Sequence, residues 1–298
     1  MSKVIAIGNF DGMHLGHQAI LKAARDMAGP LGTVVAVTFW PHPLRVLNPA
    51  KAPLLLCDIQ ERVRLLRQNG ADEVSIVEFT PALGAWTPAH FVEKVLWPLT
   101  PTSVVVGQNF RFGAGAAADG DQMRVLADGR FGVTVLPMYC DDAPVSSSRI
   151  RAAVADGDPG LAAHMLGRWF RYSGIVVLGD QRGRTLGFPT ANLTVPDDYA
   201  CPPDGVYAGY LAHGQDQWPA AISVGTNPTF DGAQRRVEAY ALDRTDLNLY
   251  GERVGVDFVA RLRGQTRFDS TIELVSQLTK DIAATREKLY NSMGVSPR

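Results

Sequence analysis

Short runs rich in Val, Ile and Thr alternate with helix-like spacing through the first half of the chain. Lys3–Gly8, Thr33–Phe39, Glu73–Phe79, Ser103–Gly107 and Gly132–Leu136 read as strands, most of them too uniformly apolar to leave one face in water. Between them the signals are helical. Leu15, Ala19, Ala23 and Met27 form one apolar stripe, and Ile59, Val63 and Leu66 form another behind an Asp58 N-cap, with Gly70 as its stop. Thr87 followed by Pro88 marks a further helix start, because proline at the first helical position gives up no hydrogen bond. Strand and helix in alternation predict an α/β fold with a Rossmann-like parallel sheet covered on both faces.

From Trp169 onward the pattern changes. Phe170–Leu178, Val206–Ala212, Ala220–Val224, Arg236–Asp243 and Val254–Arg261 follow one another as strands with no helix between them, which predicts a small antiparallel β-barrel. A C-terminal helix closes it, announced by the capping-box sequence Ser270-Thr271-Ile272-Glu273 and an apolar stripe of Ile272, Val275, Leu278 and Ile282. Two short helical segments lie between the halves, the second opening at Asp158-Pro159. The boundary therefore falls near Gly167, giving domains of residues 1–167 and 168–298.

Composition narrows the function. At 298 residues the chain has room for two domains, each with its own core, and 46% hydrophobic against 20% charged residues is a globular balance. A net charge of −1 supplies no field to gather nucleic acid or an anionic membrane, so small-molecule substrates are the expected partners; no feature marks an oligomeric state. Three scattered cysteines, without Cys-x-x-Cys spacing, build neither a disulfide framework nor a thiolate zinc site and fit a reducing cytoplasm. The apolar stretch around Thr33–Trp40 is broken by threonine and stopped by Pro41, well short of the ~20 residues that span a bilayer.

Two polar, glycine-punctuated segments carry candidate chemistry. Gly8-Asn9-Phe10-Asp11-Gly12-Met13-His14-Leu15-Gly16-His17 joins the first strand to the first helix, where backbone N–H groups and the helix dipole favour a phosphate. His14 and His17, three apart with Gly16 between them, share one face of the helix start. They suit the oxygens of an α-phosphate as charge accumulates in an in-line attack. The second segment is Arg182-Gly183-Arg184-Thr185-Leu186-Gly187-Phe188-Pro189-Thr190-Ala191-Asn192. Thr190 and Asn192 point the same way in an extended chain and offer two oxygens to a Mg²⁺ that bridges nucleotide phosphates. Read alone, the same residues also describe a turn in which Asn192 bonds its own backbone.

The His14-x-Gly16-His17 signature resembles that of the nucleotidyltransferase superfamily, and the surrounding Gly-Asn-Phe-Asp-Gly run resembles the adenylyltransferase module of bifunctional riboflavin kinase/FAD synthetases. Further pieces match in order: Thr38-Phe39-Trp40-Pro41-His42-Pro43, Val106–Gly113 with Asn109, and Val145-Ser146-Ser147-Ser148-Arg149-Ile150-Arg151. By the resemblance, the last of these is an ATP-phosphate loop that uses Ser147, Ser148 and Arg151; by composition alone its serines are also ordinary N-caps. In the second half Pro203–Tyr207, Ser223–Phe230 and Leu249-Tyr250-Gly251 occur in the order of the riboflavin kinase module. The resemblance implies that Arg184, Gly187, Thr190 and Asn192 bind Mg-nucleotide and that Glu238, on the polar side of a strand, is the general base.

It thus implies an FAD-forming enzyme. Riboflavin and ATP would give FMN in the second domain, and FMN and a second ATP would give FAD and pyrophosphate in the first, with Mg²⁺ in both. One departure stands out: Gly113–Gly120 contains the run Ala114–Ala118 and no base, where the family carries a short segment of glycine with Arg or Lys. That departure leaves a kinase-only chain, with a weakened or inactive adenylyltransferase domain, as the alternative. A flavin carrier without turnover would have no use for His14, His17 and Glu238.

Overall fold

The computed structural model describes residues 2–179, 186–229 and 232–292. Its contacts divide into two compact units, Met1–Pro53 with Asp58–Ser147, and Leu54–Cys57 with Ser148–Arg298.

In the first unit β1 (Lys3–Ile7), β2 (Thr33–Trp40), β3 (Glu73–Glu78), β4 (Ser103–Gly107) and β5 (Gly132–Leu136) form a parallel sheet in the order β3-β2-β1-β4-β5. All five were expected within one residue at each end. Alternate residues cover alternate faces, as the period of two demands. Ile5, Ile7, Val35, Val37, Val104 and Val106 enter one core, and Val4, Ala6, Val34, Ala36 and Val105 enter the other. Each buried Val or Ile contributes ~1.5–3 kcal/mol, so both faces hold the sheet. The chain leaves β1 first towards β2 and later returns beside β1 as β4. The carboxyl ends of β1 and β4 therefore flank the switch point at which open parallel sheets bind ligands.

Two helices turn other faces inward than their apolar spacing suggested. In α1 (Leu15–Ala28) the buried residues are Ile20, Leu21, Ala24 and Ala28, while Met27 is 42% exposed. The helix has two overlapping apolar stripes, and the one with the larger Ile20–Leu21 pair takes the core because it removes more area from water. The helix Ile59–Gln68 is capped by Asp58 as expected but buries Glu61, Arg62, Leu65 and Leu66 and leaves Val63 only half-buried. Here a charged residue displaces an apolar one, because Arg62 finds partners inside.

The second unit is a closed barrel of six strands with antiparallel neighbours: Phe170–Val177, Ala191–Thr194, Gly205–His213, Asp216–Thr229, Gly232–Ala241 and Arg253–Arg263. Leu193, Tyr207, Ile222, Val237 and Phe258 fill it. Ala191–Thr194 was not foreseen, since Pro189 and a polar Asn192 disguise four residues as a loop. Gly209 is required by close approach: a Cβ there would lie 1.8 Å from the Asp257 carbonyl oxygen. The helix Pro159–Leu166 opens at Asp158, whose carboxylate accepts the Leu161 N–H at 2.9 Å, and ends at Gly167 with φ +67°. It packs on the strands Phe170–Val177 and Arg253–Arg263.

In the last helix, Thr271–Ser292, Asp281, Thr285 and Leu289 are buried and Ile272 is 83% exposed, which corrects the expected stripe. The Arg263 guanidinium grips Asp281 with two bonds of 2.9 and 2.7 Å, and this charged clasp sets which side faces the barrel. The cap is also modified. Ser270 Oγ accepts the Glu273 N–H, but the Glu273 carboxylate accepts from Asp269 N–H, not from Ser270.

Candidate active sites

The turn between β1 and α1 is held in an uncommon conformation. Phe10, Gly12 and Met13 have φ of +50°, +80° and +43°, and for the two non-glycine residues such backbone costs ~1–3 kcal/mol each unless the surroundings impose it. The surroundings do. Phe10 and Met13 are fully buried in the core beneath α1, Thr38 Oγ1 donates to the Asn9 carbonyl at 3.0 Å, Ser147 Oγ donates to the Asp11 carbonyl at 2.9 Å, and Gly8 N–H bonds Val37 O at 3.1 Å.

His14 is the N-cap of α1. Its Nδ1 accepts the His17 N–H at 3.3 Å, which places the proton of the neutral ring on Nε2. The two imidazoles stack with centroids 3.6 Å apart and planes 20° from parallel, and Phe10 meets His17 edge-on at 5.3 Å. Gly16 sits close against this pair: a Cβ would come within 3.1 Å of the His14 ring, a tight contact that the ring would have to yield to by a few tenths of an ångström. The pair read from the sequence is thus one preorganised unit at a helix N-terminus and a switch point, where donors to a phosphate belong.

Asn109 stands exposed just past β4, on the other side of that switch point, and a Cβ on Gly107 would lie 3.3 Å from its Oδ1. The side chains of Phe10 and Asp11 face inward. Asp11, 2% exposed, lies 3.6 Å from the Nη2 of the wholly buried Arg62. Arg62 itself has no signature in the sequence, where an arginine in a helix reads as a solvated charge. Ser148 is exposed at the start of the helix Ser147–Ala155, and Arg151 on that helix donates from Nε to the Leu54 carbonyl at 2.5 Å. The alanine run is a closed loop. Phe112 and Ala118 exchange two backbone bonds of 2.9 and 3.0 Å across it, Ala114 N–H bonds Trp86 O, and the base nearest in sequence, the exposed Arg111, is held to the Gln108 and Phe110 carbonyls.

The second candidate site lies on the barrel. Asn192, 6% exposed, donates from Nδ2 to Thr190 Oγ1 and to the Thr190 carbonyl, each at 3.1 Å, so the two side chains do point the same way. Gly179 fits against them. A Cβ there would lie 2.6 Å from both Cγ and Oδ1 of Asn192, so this cradle exists only without a side chain. Two neutral oxygen donors, one hydroxyl and one amide carbonyl, suit a hard cation that takes its other ligands from phosphate and water. Among the described residues no three His, Cys, Asp or Glu gather.

Glu238 is the direct cross-strand partner of Asn192, and Ser223 is its partner on the other side. Directly paired residues project from the same face, which puts the carboxylate on the side of Asn192, half-buried, between the inward-facing Val237 and Ala239. Next to Thr190 and Asn192 a cavity opens, lined also by Val176, Ala239, Arg244 and Tyr250. Gly187, φ +86°, is exposed in the preceding loop; Arg184 lies outside the described residues.

The sequence motif Pro203-Asp204-Gly205 is structural in character. Asp204 pairs with Arg235 at 3.0 Å, Tyr207 donates to the Pro203 carbonyl at 2.7 Å, and a Cβ on Gly205 would meet Arg263 O at 2.6 Å. Burial pushes the Tyr207 hydroxyl and the neighbouring Cys201 thiol each up to about 12, so neither ionises near neutrality.

Two family models match the chain. A family model described as FAD synthetase matches residues 1–149, and one described as riboflavin kinase matches residues 166–289. Bifunctional riboflavin kinase/FMN adenylyltransferases are 36% identical in Listeria monocytogenes, over 96% of this chain and 92% of that protein, and 36% identical in Escherichia coli K12, over 95% and 92%. A crystal structure from Streptococcus pneumoniae, called a macrolide-efflux protein, superimposes with a TM-score of 0.85 at 34% identity and covers 96% of this chain and 94% of its own.

Proposed function

The chain belongs to the family of bifunctional riboflavin kinase/FMN adenylyltransferases, and from that premise we propose how its residues divide the two reactions. The enzyme phosphorylates riboflavin with ATP to FMN and ADP, and adenylylates FMN with ATP to FAD and pyrophosphate. The kinase-only alternative is not favoured, because the FAD synthetase model matches through the alanine loop. Residues 1–167 carry adenylyl transfer and residues 168–298 carry phosphorylation in this reading.

In the first half an FMN phosphate oxygen attacks the α-phosphorus of ATP and pyrophosphate leaves. His14 Nε2–H and His17 hold the oxygens on which charge grows, and the N–H groups at the start of α1 assist. Asn109, across the switch point, and Ser147 add nucleotide contacts, and the family likeness alone assigns ATP phosphates to Ser148 and Arg151. Gly8 and Gly16 give the approach, while Asn9, Phe10 and Asp11 hold the turn's shape.

In the second half Glu238 takes the proton of the ribityl hydroxyl as that oxygen attacks the γ-phosphorus of ATP. Thr190 Oγ1 and Asn192 Oδ1 would hold Mg²⁺, with Gly187 and Arg184 on the nucleotide side. Bound Mg²⁺ supplies charge neutralisation on the transferring and leaving phosphate oxygens. The observation that supports the assignment is the direct strand pairing of Glu238 with Asn192, which puts a carboxylate beside the amide that would hold the metal in this reading. The test is to incubate the full chain and its Glu238→Gln variant with riboflavin, ATP and Mg²⁺ and to separate the flavins. The parent should give FMN and FAD, and the variant should fail at FMN yet still convert supplied FMN to FAD.

A further inference from the structure

A fully buried arginine below the β1–α1 turn has no place in the reactions as written. Arg62 is 0% exposed, yet only its Nη1 makes hydrogen bonds, to Thr38 Oγ1 at 3.4 Å and to the Phe39 carbonyl at 3.2 Å; Nε and Nη2 have none. Its face lies over Trp40, 5.5 Å from the ring centroid. The charge that balances it is Asp11, itself 2% exposed, with Oδ1 3.6 Å from Nη2. An ionised guanidinium placed so deep, with most of its donors idle, does not serve hydrogen-bond economy, and an apolar residue would fill that volume at lower desolvation cost.

What the guanidinium does reach is the turn. Through Thr38, whose hydroxyl passes on to the Asn9 carbonyl at 3.0 Å, it holds one side; through Asp11 it holds the other. Between and beside these anchors lie Phe10, Gly12 and Met13 in left-handed conformation, and His14 follows at once. We propose that Arg62 is a positioning residue for adenylyl transfer: with Thr38 and Asp11 it forms a buried clamp that fixes the strained turn and so aims the His14–His17 pair. The proposal rests on the assignment of adenylyl transfer to that pair. The clamp touches no substrate. Its effect is on geometry at the moment of reaction, so kcat should carry it and ATP affinity should not.

The experiment uses the full chain, with FAD formation from FMN and ATP as the readout, the thermal melting of each variant as the folding control and riboflavin phosphorylation as the control for the second activity. Arg62→Met should lower kcat by about 10²-fold, the scale of a misplaced reacting group, with KM for ATP changed by less than about threefold and FMN formation unchanged. Arg62→Lys, which returns the charge, should recover most of the loss. Thr38→Val, which removes one arm without disturbing volume, should cost about tenfold in kcat. Wild-type kcat in Arg62→Met, a loss expressed in KM, or a Lys variant no better than Met overturns the clamp. Should Arg62→Met fail to fold, Thr38→Val decides: reduced kcat supports the clamp and an ordinary kcat overturns it. His17→Ala in the same assay separates the two claims. If it keeps normal FAD formation, the site assignment itself has failed; if it loses FAD formation while the Arg62 variants do not, only the clamp has failed.

Discussion

A single methyl group at Gly179 tests the barrel site more sharply than removal of any of its ligands. Gly179→Ala adds a Cβ 2.6 Å from Cγ and Oδ1 of Asn192, where ordinary contact begins near 3.4 Å, so one of the two groups must retreat by about 0.8 Å. No backbone strain accompanies the change, since Gly179 is not among the residues with positive φ. Asn192 is pinned through Nδ2 to Thr190 and buried in the strand Ala191–Thr194, and its displacement therefore carries Oδ1 and Thr190 Oγ1 out of register with each other. Misplacing a positioning group by ~1 Å costs up to about 10²-fold, so riboflavin phosphorylation should fall by 10- to 10²-fold, or ~1.4–2.7 kcal/mol. The assay is FMN formation against Mg²⁺ and ATP concentration, with FAD formation from supplied FMN as the control. Half-saturation at a higher Mg²⁺ concentration should appear with the loss. An alanine variant with normal FMN formation would show that Oδ1 of Asn192 takes no part in holding the nucleotide.

The other perturbations address the remaining assignments. Glu238→Gln should lower FMN formation by ~10²-fold or more and leave FAD formation alone; near-normal kinase turnover removes Glu238 as base. His17→Ala should lower the kcat of FAD formation by ~10²–10³-fold, with riboflavin phosphorylation intact. Expressed alone, residues 168–298 should make FMN and no FAD. A fragment from residue 148 should melt more than about 10 °C higher, because the shorter one lacks the helix that buries Met165 and Leu166, each worth ~1.5–3 kcal/mol; equal melting temperatures would count against that packing.

The architecture was legible where local signal and tertiary role coincide. Uniform apolar runs such as Thr33–Trp40 can only be buried on both faces, and the histidine-glycine turn after β1 announces its own strand and helix. Legibility failed where a choice among similar options depends on bulk or on distant partners. The alanine-rich α1 offers two stripes, and only contact with the sheet selects Ile20 and Leu21 over Leu15 and Met27. The short strand Ala191–Thr194 has no alternation long enough to register, and its identity comes from pairing with Gly232–Ala241 and Phe170–Val177.

The candidate sites follow the same division. Candidate residues joined by sequence-local geometry, His14 with His17 or Thr190 with Asn192, are legible because spacing alone brings them together. Glu238 came only through family likeness, and what joins it to Asn192 is a register between strands more than forty residues apart in sequence. Arg62 had no local signature. In a helix it reads as one more solvated charge, and its burial follows from Asp11, fifty-one positions earlier, needing a counter-ion beneath a turn whose backbone is strained. A long-range charge pair of this kind is invisible to periodicity because it breaks periodicity: the helix turns Arg62 inward, towards Asp11, at the expense of Val63.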